Sequence, residues 1–153
     1  MLKINIVCVG SIKEKFFIDA INEYKKRLSR FCAFNIIEVQ EEAQEKSLEK
    51  KIEKESEKIL NACKGVVVLL DRVGKMVSSE EFADCLDKLS TQGASEISFV
   101  IGGSNGVNDK VKNAAKHSFS FGKITFPHQL FRVVLTEQIY RAFTILAGSP
   151  YHK

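Results

Sequence analysis

Apolar positions along this chain alternate between short β-rich runs and longer stretches at helical spacing. Lys3–Gly10 (KINIVCVG) is a β-branched run closed by glycine, which predicts a buried strand. Over Ile12–Phe31, residues Phe16, Phe17, Ala20, Ile21, Tyr24 and Leu28 recur as on one side of a helix. Phe34–Val39 predicts a second strand. Glu41–Cys63 predicts a helix with Leu48, Ile52, Ile59, Leu60 and Cys63 inward, and its Lys46, Lys50, Lys54 and Lys58 run beside Glu45, Glu49, Glu53 and Glu57 as a solvated, ion-paired face. Gly65–Asp71 is a continuous apolar strand of the kind covered on both faces in a parallel sheet. Ser78 with Glu81 three residues on forms a capping box that opens a helix to about Ser90. Ile97–Ile101 is the next strand, broken by the turn Gly102–Gly106 and followed by a short helix near Asp109–Ala115. Ser118–Phe121 predicts a short strand and Gly122–His128 a loop. A helix from Gln129 to about Ala147 is then stopped by Gly148 and Pro150. The alternation predicts an α/β fold: a mostly parallel sheet with helices on both faces, in one domain spanning residues 1–153.

Composition agrees with that picture. The chain has 153 residues, 44% hydrophobic and 27% charged, enough to bury a core without disulfide or metal. Cys8, Cys32, Cys63 and Cys85 form no C-x-x-C pair and sit in apolar runs or on helix faces, as free thiols of a reducing, cytoplasmic compartment do. No run approaches a membrane span, and Met1-Leu2-Lys3 leads into a strand rather than a signal peptide, so no membrane partner is expected. Charge is uneven. From Asp109 to Lys153 seven Lys/Arg face two acids, a net +5, which leaves −1 for residues 1–108 of a chain at +4. A basic C-terminal third suits a phosphate-rich partner, although solvated faces share this composition.

Ligands of open parallel sheets bind at the carboxyl ends of strands. Three loops follow buried strands here, Asp71–Lys75, Gly102–Gly106 and Gly122–His128, and could converge on one crevice. By itself G-G-x-x-G reads as a tight turn as readily as a cradle. It matches neither a phosphate-binding Walker loop nor a dinucleotide fingerprint. The Gln129–Ala147 helix is apolar nearly all round, so it must be buried on most sides, and self-association is one way to bury it. Its charges are Arg132, Glu137 and Arg141. Glu137 and Arg141, four apart, read equally as an ion pair on a core helix or as part of a site. The tail Ser149–Lys153 reads as a frayed end, yet Tyr151, His152 and Lys153 bring together an aromatic, an imidazole and a cation suited to stacking on a base and moving a proton. His128 is a second proton-transfer candidate, and His117 reads as a surface residue. No His/Cys/Asp cluster has metal-ligand spacing, and no G-x-S-x-G elbow supports a hydrolase nucleophile, so no metal is expected.

Four segments in order, FVIGGSNG (Phe99–Gly106), TFPHQ (Thr125–Gln129), RVVLTEQIYRA (Arg132–Ala142) and the terminal Tyr151-His152-Lys153, resemble the SPOUT-class methyltransferases. Within them they resemble the small ribosomal RNA large-subunit methyltransferase H family. The resemblance runs the length of the chain and includes Val7–Gly10, Glu23–Leu28 and Gly74-Lys75. It implies a C-terminal trefoil knot, S-adenosyl-L-methionine as cofactor, a homodimer, and methylation of N3 of a pseudouridine in 23S rRNA on assembled ribosomes. It implies cofactor contacts at Leu70, Gly103, Gly122, Lys123, Ile124, Thr125, Phe126 and Pro127, with Gly103 pressing its backbone on the ligand where a Cβ would clash. The groups available for deprotonating N3 are His152, Tyr151, Arg141, Glu137, His128 and Arg132, some of them from a second copy. Two other classes stay open on sequence: a non-catalytic RNA- or ribosome-binding α/β module that uses the basic third, and a nucleotide- or flavin-binding domain that uses the same loops.

Overall fold

A computed structural model describes residues 1–153. Strands β1 (Lys3–Val9), β2 (Ala33–Val39), β3 (Val66–Met76), β4 (Glu96–Ile101) and β5 (His117–Ser120) form one sheet in the order β2-β1-β4-β3-β5. Every pairing is parallel. Helices α1 (Lys15–Leu28), α2 (Leu48–Ala62), α3 (Ser79–Thr91), α4 (Asp109–Ala114) and α5 (His128–Leu146) supply the crossovers and the C-terminal layer.

Period-two alternation in the strands assigns the two faces. Ile4, Ile6, Cys8, Val68, Leu70, Ile97, Phe99 and Ile101 point to the side covered by α1, α3 and α5. Val7, Leu69 and Val100 point the other way, against Ile59 of α2 and Val111 of α4. Helices on both faces and a wholly parallel sheet agree with the sequence expectation.

Three elements differ from it by more than one residue at an end. The first helix spans Lys15–Leu28 and not Ile12–Phe31. The second begins at Leu48, with Ser47 accepting from the Lys50 amide, and not at Glu41. Residues 41–47 fold back along it, so its lysines pair with that segment (Lys51–Glu41, Lys58–Glu42, Lys54–Glu45) and not along their own helix. The third strand runs beyond Asp71. Its pairing with β5 breaks after Leu70 and resumes at Lys75, so residues 71–74 bulge out of a strand that continues to Met76. Gly74 closes the bulge, because a Cβ there would lie 2.8 Å from the Ser118 backbone. The Ser78/Glu81 capping box is present as expected.

Candidate functional site

The three strand-end loops do converge. The 71–74 bulge, the Gly102–Gly106 turn and the 122–128 segment enclose a crevice of about 490 Å³ beyond the carboxyl ends of β3, β4 and β5. Its walls combine apolar side chains (Leu69, Ile101, Phe119, Phe131) with glycine backbone, a lining suited to an uncharged ring held by backbone groups. Of the residues expected at a cofactor, Leu70, Gly103, Gly122, Ile124, Thr125 and Phe126 line it. Lys123 is exposed, and Pro127 caps the start of α5. Gly122 holds φ +120°, a conformation L side chains rarely adopt, which lets the chain double back from β5 toward α5. Arg72 donates to Thr125 Oγ1 at 2.5 Å, tying the bulge to the 122–128 segment across the mouth.

The clash expected of a Gly103 side chain is one with the protein itself. A Cβ at this position would point away from the crevice and meet Glu55 Oε1 at 2.7 Å. Glu55 is only 2% exposed and accepts from the Glu42 amide at 3.0 Å. The glycine turn therefore rests on a buried carboxylate from α2. Gly103→Ala should lower stability by about 1–3 kcal/mol through this overpacking. Glu55→Asp, which withdraws the carboxyl, should restore part of the loss in urea unfolding.

A second, more polar cleft of about 590 Å³ adjoins the first, sharing Gly103, Ser104 and His128 with it and opening beyond β1 and β2. Arg132 lies at its floor, 2% exposed. Its guanidinium pairs with Glu38 at 2.6 Å and donates to the Val9 and Gly10 carbonyls at 3.3 and 3.2 Å. All these partners belong to the protein, so Arg132 ties α5 to the ends of β1 and β2. His128, half-buried at the shared wall, is held below its ordinary value of 6.5, first by burial and then by Arg132. His117, expected at the surface, is partly buried, stacked on Phe119 at 5.4 Å and lowered likewise by burial. As pH falls below about 6.5 the unfolded chain takes up protons that these two folded imidazoles resist, so stability should fall. The His117→Asn/His128→Asn variant should flatten that slope in urea midpoints measured from roughly pH 7.5 to 5.5.

The remaining candidates gather elsewhere. Arg141 donates to Glu137 at 2.9 Å, lies over the Tyr151 ring at 4.8 Å and reaches His152 Nδ1 at 3.0 Å. His152 Nε2 lies 2.5 Å from Glu80 Oε1, at the start of α3. Tyr151 also packs edge-on against Tyr140, and burial raises its phenol. The tail is thus docked and not frayed. Thirteen residues of α5 separate Arg141 from His128, about 20 Å along the helix. Within one chain, then, the structure unites His152, Tyr151, Arg141 and Glu137 but leaves them remote from His128, Arg132 and the crevice.

Sequence reading missed Glu38, Glu55 and Glu80. Glu55 was findable: it lies off the Glu45/Glu49/Glu53/Glu57 stripe and on the inward line with Ile52 and Ile59. Glu38 and Glu80 carried no local signal, since their partners are 94 and 72 residues away. No helix is long and apolar enough to cross a membrane, and no group of three or more His, Cys, Asp or Glu is placed to hold a metal ion.

Comparison with known proteins bears on this arrangement. A ribosomal RNA large subunit methyltransferase H from Clostridium acetobutylicum is 52% identical, covering 99% of this chain and all of the relative. One of the same name from Streptococcus uberis is 50% identical over the same shares. A probable methylase family protein from Haemophilus influenzae, 11% identical, superimposes with a TM-score of 0.57 over 98% of this chain and 70% of its own, a likeness of fold. The family model described as a predicted SPOUT methyltransferase matches residues 2–152. The chain therefore belongs to the SPOUT methyltransferase family, and it is a methyltransferase and not a binding module or a flavin domain.

Proposed function

We propose that this protein methylates 23S rRNA at N3 of a pseudouridine on the assembled ribosome, as a cytoplasmic homodimer using S-adenosyl-L-methionine. The observation that carries the reading is the separation of crevice and tail cluster along α5. Leu130, Val133, Val134, Glu137 and Arg141 form one partly exposed stripe on that helix, apolar at its start and charged at its end. A second copy packed antiparallel on this stripe, about a two-fold axis near its middle, covers the apolar half. It also carries the tail cluster of each chain to the crevice of the other. The names of relatives about half identical over their full length support rRNA as the substrate.

The crevice fits the donor. Its volume lies in the ordinary range for small-molecule sites, and its apolar walls with glycine backbone suit an adenine ring. Leu70, Gly103, Gly122 and residues 123–127 would hold it, in the threaded C-terminal segment that the family's knot implies. When bound, the cofactor supplies a methyl group on a sulfonium centre. The protein's own residues position the acceptor, because in-line displacement depends chiefly on alignment. N3–H of a pseudouridine lies between two carbonyls, so a base must take its proton and a cation must balance the charge that spreads onto oxygen. His152 and Arg141 offer those functions side by side. Lysines of the basic C-terminal third contact rRNA phosphates and make binding steeply salt-dependent.

The test is single-turnover methylation of ribosomes lacking the modification, with nuclease digestion and mass spectrometry to locate the methyl group. Light scattering at micromolar concentration tests the assembly. Methyl transfer to one pseudouridine N3, slow on the isolated RNA hairpin, together with a dimeric mass is the expected result. Methylation of another base, or a monomer with full activity, overturns the reading.

A further inference from the structure

We propose that Glu80 is a positioning residue for methyl transfer, fixing the tautomer of His152 whose Nδ1 lone pair receives the proton of the target base. The inference rests on the tail reading above and extends it to a residue on a different element.

Arg141 has only hydrogens to offer, so its 3.0 Å contact with Nδ1 requires a lone pair on that nitrogen. In the neutral ring the hydrogen then sits on Nε2 and is donated to Glu80 Oε1. Both roles are set by the partners. Glu80 is held in place by its element: the capping box fixes the first turn of α3, and Ser79 Oγ donates to Gln138 Oε1 at 2.7 Å, locking α3 to α5 one turn before Arg141. The Glu80 carboxyl is held below the ordinary carboxylate range, first by the His152 hydrogen bond, so it is ionised at neutral pH. The imidazole touches Glu80 from α3 and Arg141 from α5, and Arg141 in turn contacts Glu137 and the Tyr151 ring.

Carboxylate, imidazole and acceptor lone pair in line form the orienting arrangement of a triad, here with the carboxylate on Nε2 and the working nitrogen Nδ1. In this structure Arg141 occupies that lone pair. The target base displaces it: the N3 proton passes to Nδ1, and the electron pair of the N–H bond remains on N3 as the nucleophile. The imidazolium so formed is balanced by Glu80 through Nε2–H. The released Arg141 balances the charge on the adjoining carbonyl oxygen, and the imidazolium later returns its proton to water.

Ring-nitrogen ¹⁵N NMR of His152, assigned with His152→Ala, tests this without the cofactor. The wild type should show a protonated Nε2 and a bare Nδ1 near neutral pH. Glu80→Ala should give a mixture of tautomers, and Glu80→Gln, which keeps an acceptor oxygen but no charge, should stay close to wild type. With saturating cofactor and ribosomes, Glu80→Ala should slow single-turnover methylation roughly 10–100-fold with cofactor affinity unchanged, and Glu80→Gln should fall between. In the His152→Ala background Glu80→Ala should add nothing. An unchanged tautomer in Glu80→Ala, or an equal loss with and without His152, overturns the proposal. A wild-type rate for His152→Ala overturns the reading of the tail beneath it, even where the tautomer responds to Glu80.

Discussion

Deletion of Tyr151–Lys153 is expected to leave fold and dimer intact while lowering the single-turnover rate of methyl transfer by roughly 10²–10⁴-fold, the span of a general acid–base contribution. None of the three residues is fully buried, so no core cavity results. Tyr151 packs on Tyr140 and under Arg141, contacts at the surface end of α5. What the deletion removes is chemistry: the imidazole, and the ring that supports the Arg141 guanidinium. His152→Ala should reproduce most of the loss, with unchanged cofactor affinity by calorimetry because the imidazole serves the acceptor and every residue lining the crevice is kept. A truncated protein that methylates ribosomes at the wild-type rate would return the tail to passive surface. His128, on the crevice wall, would then be the remaining imidazole beside the site.

Replacing Arg132 should act on stability first. In Arg132→Met the apolar stem is kept, but Glu38 loses its partner and the carbonyls of Val9 and Gly10 lose theirs at a partly buried junction. Glu38 is 41% exposed and recovers water, whereas a buried polar group left unsatisfied costs about 1–3 kcal/mol. A total near 3 kcal/mol follows, within reach of the cost of breaking a buried pair. For a chain of this size that lowers Tm by roughly 10 °C. Glu38→Gln, which keeps an acceptor for the guanidinium, should cost less. Thermal melts that place Arg132→Met within about 1 °C of wild type would free Arg132 from this structural duty. Its sequence-based place among the catalytic candidates would then regain its footing.

The contrast between these two arginines shows where sequence stops. Arg132 and Arg141 lie nine residues apart on one apolar helix, and nothing local separates them. The fold buries one against β1 and β2 and leaves the other on a partly exposed stripe beside the tail. Gly103 shows the same limit. Its place in a strand-end turn was legible, but which way its missing side chain would point depends on α2 passing beneath it.

The sequence by itself determined the elements and their order, because periodicity, capping box and glycine stops act over a few residues. It also determined the parallel sheet, since continuous apolar strands alternating with helices have few other ways to bury both faces. Through the FVIGGSNG and TFPHQ segments it located two of the three crevice-lining loops. Only the tertiary structure decided the partners of the charged groups: Glu38 for Arg132, Glu55 beneath Gly103, Glu80 for His152. Those pairings join residues 48 to 94 apart in the chain, and their strength depends on burial and direction, which no local pattern encodes.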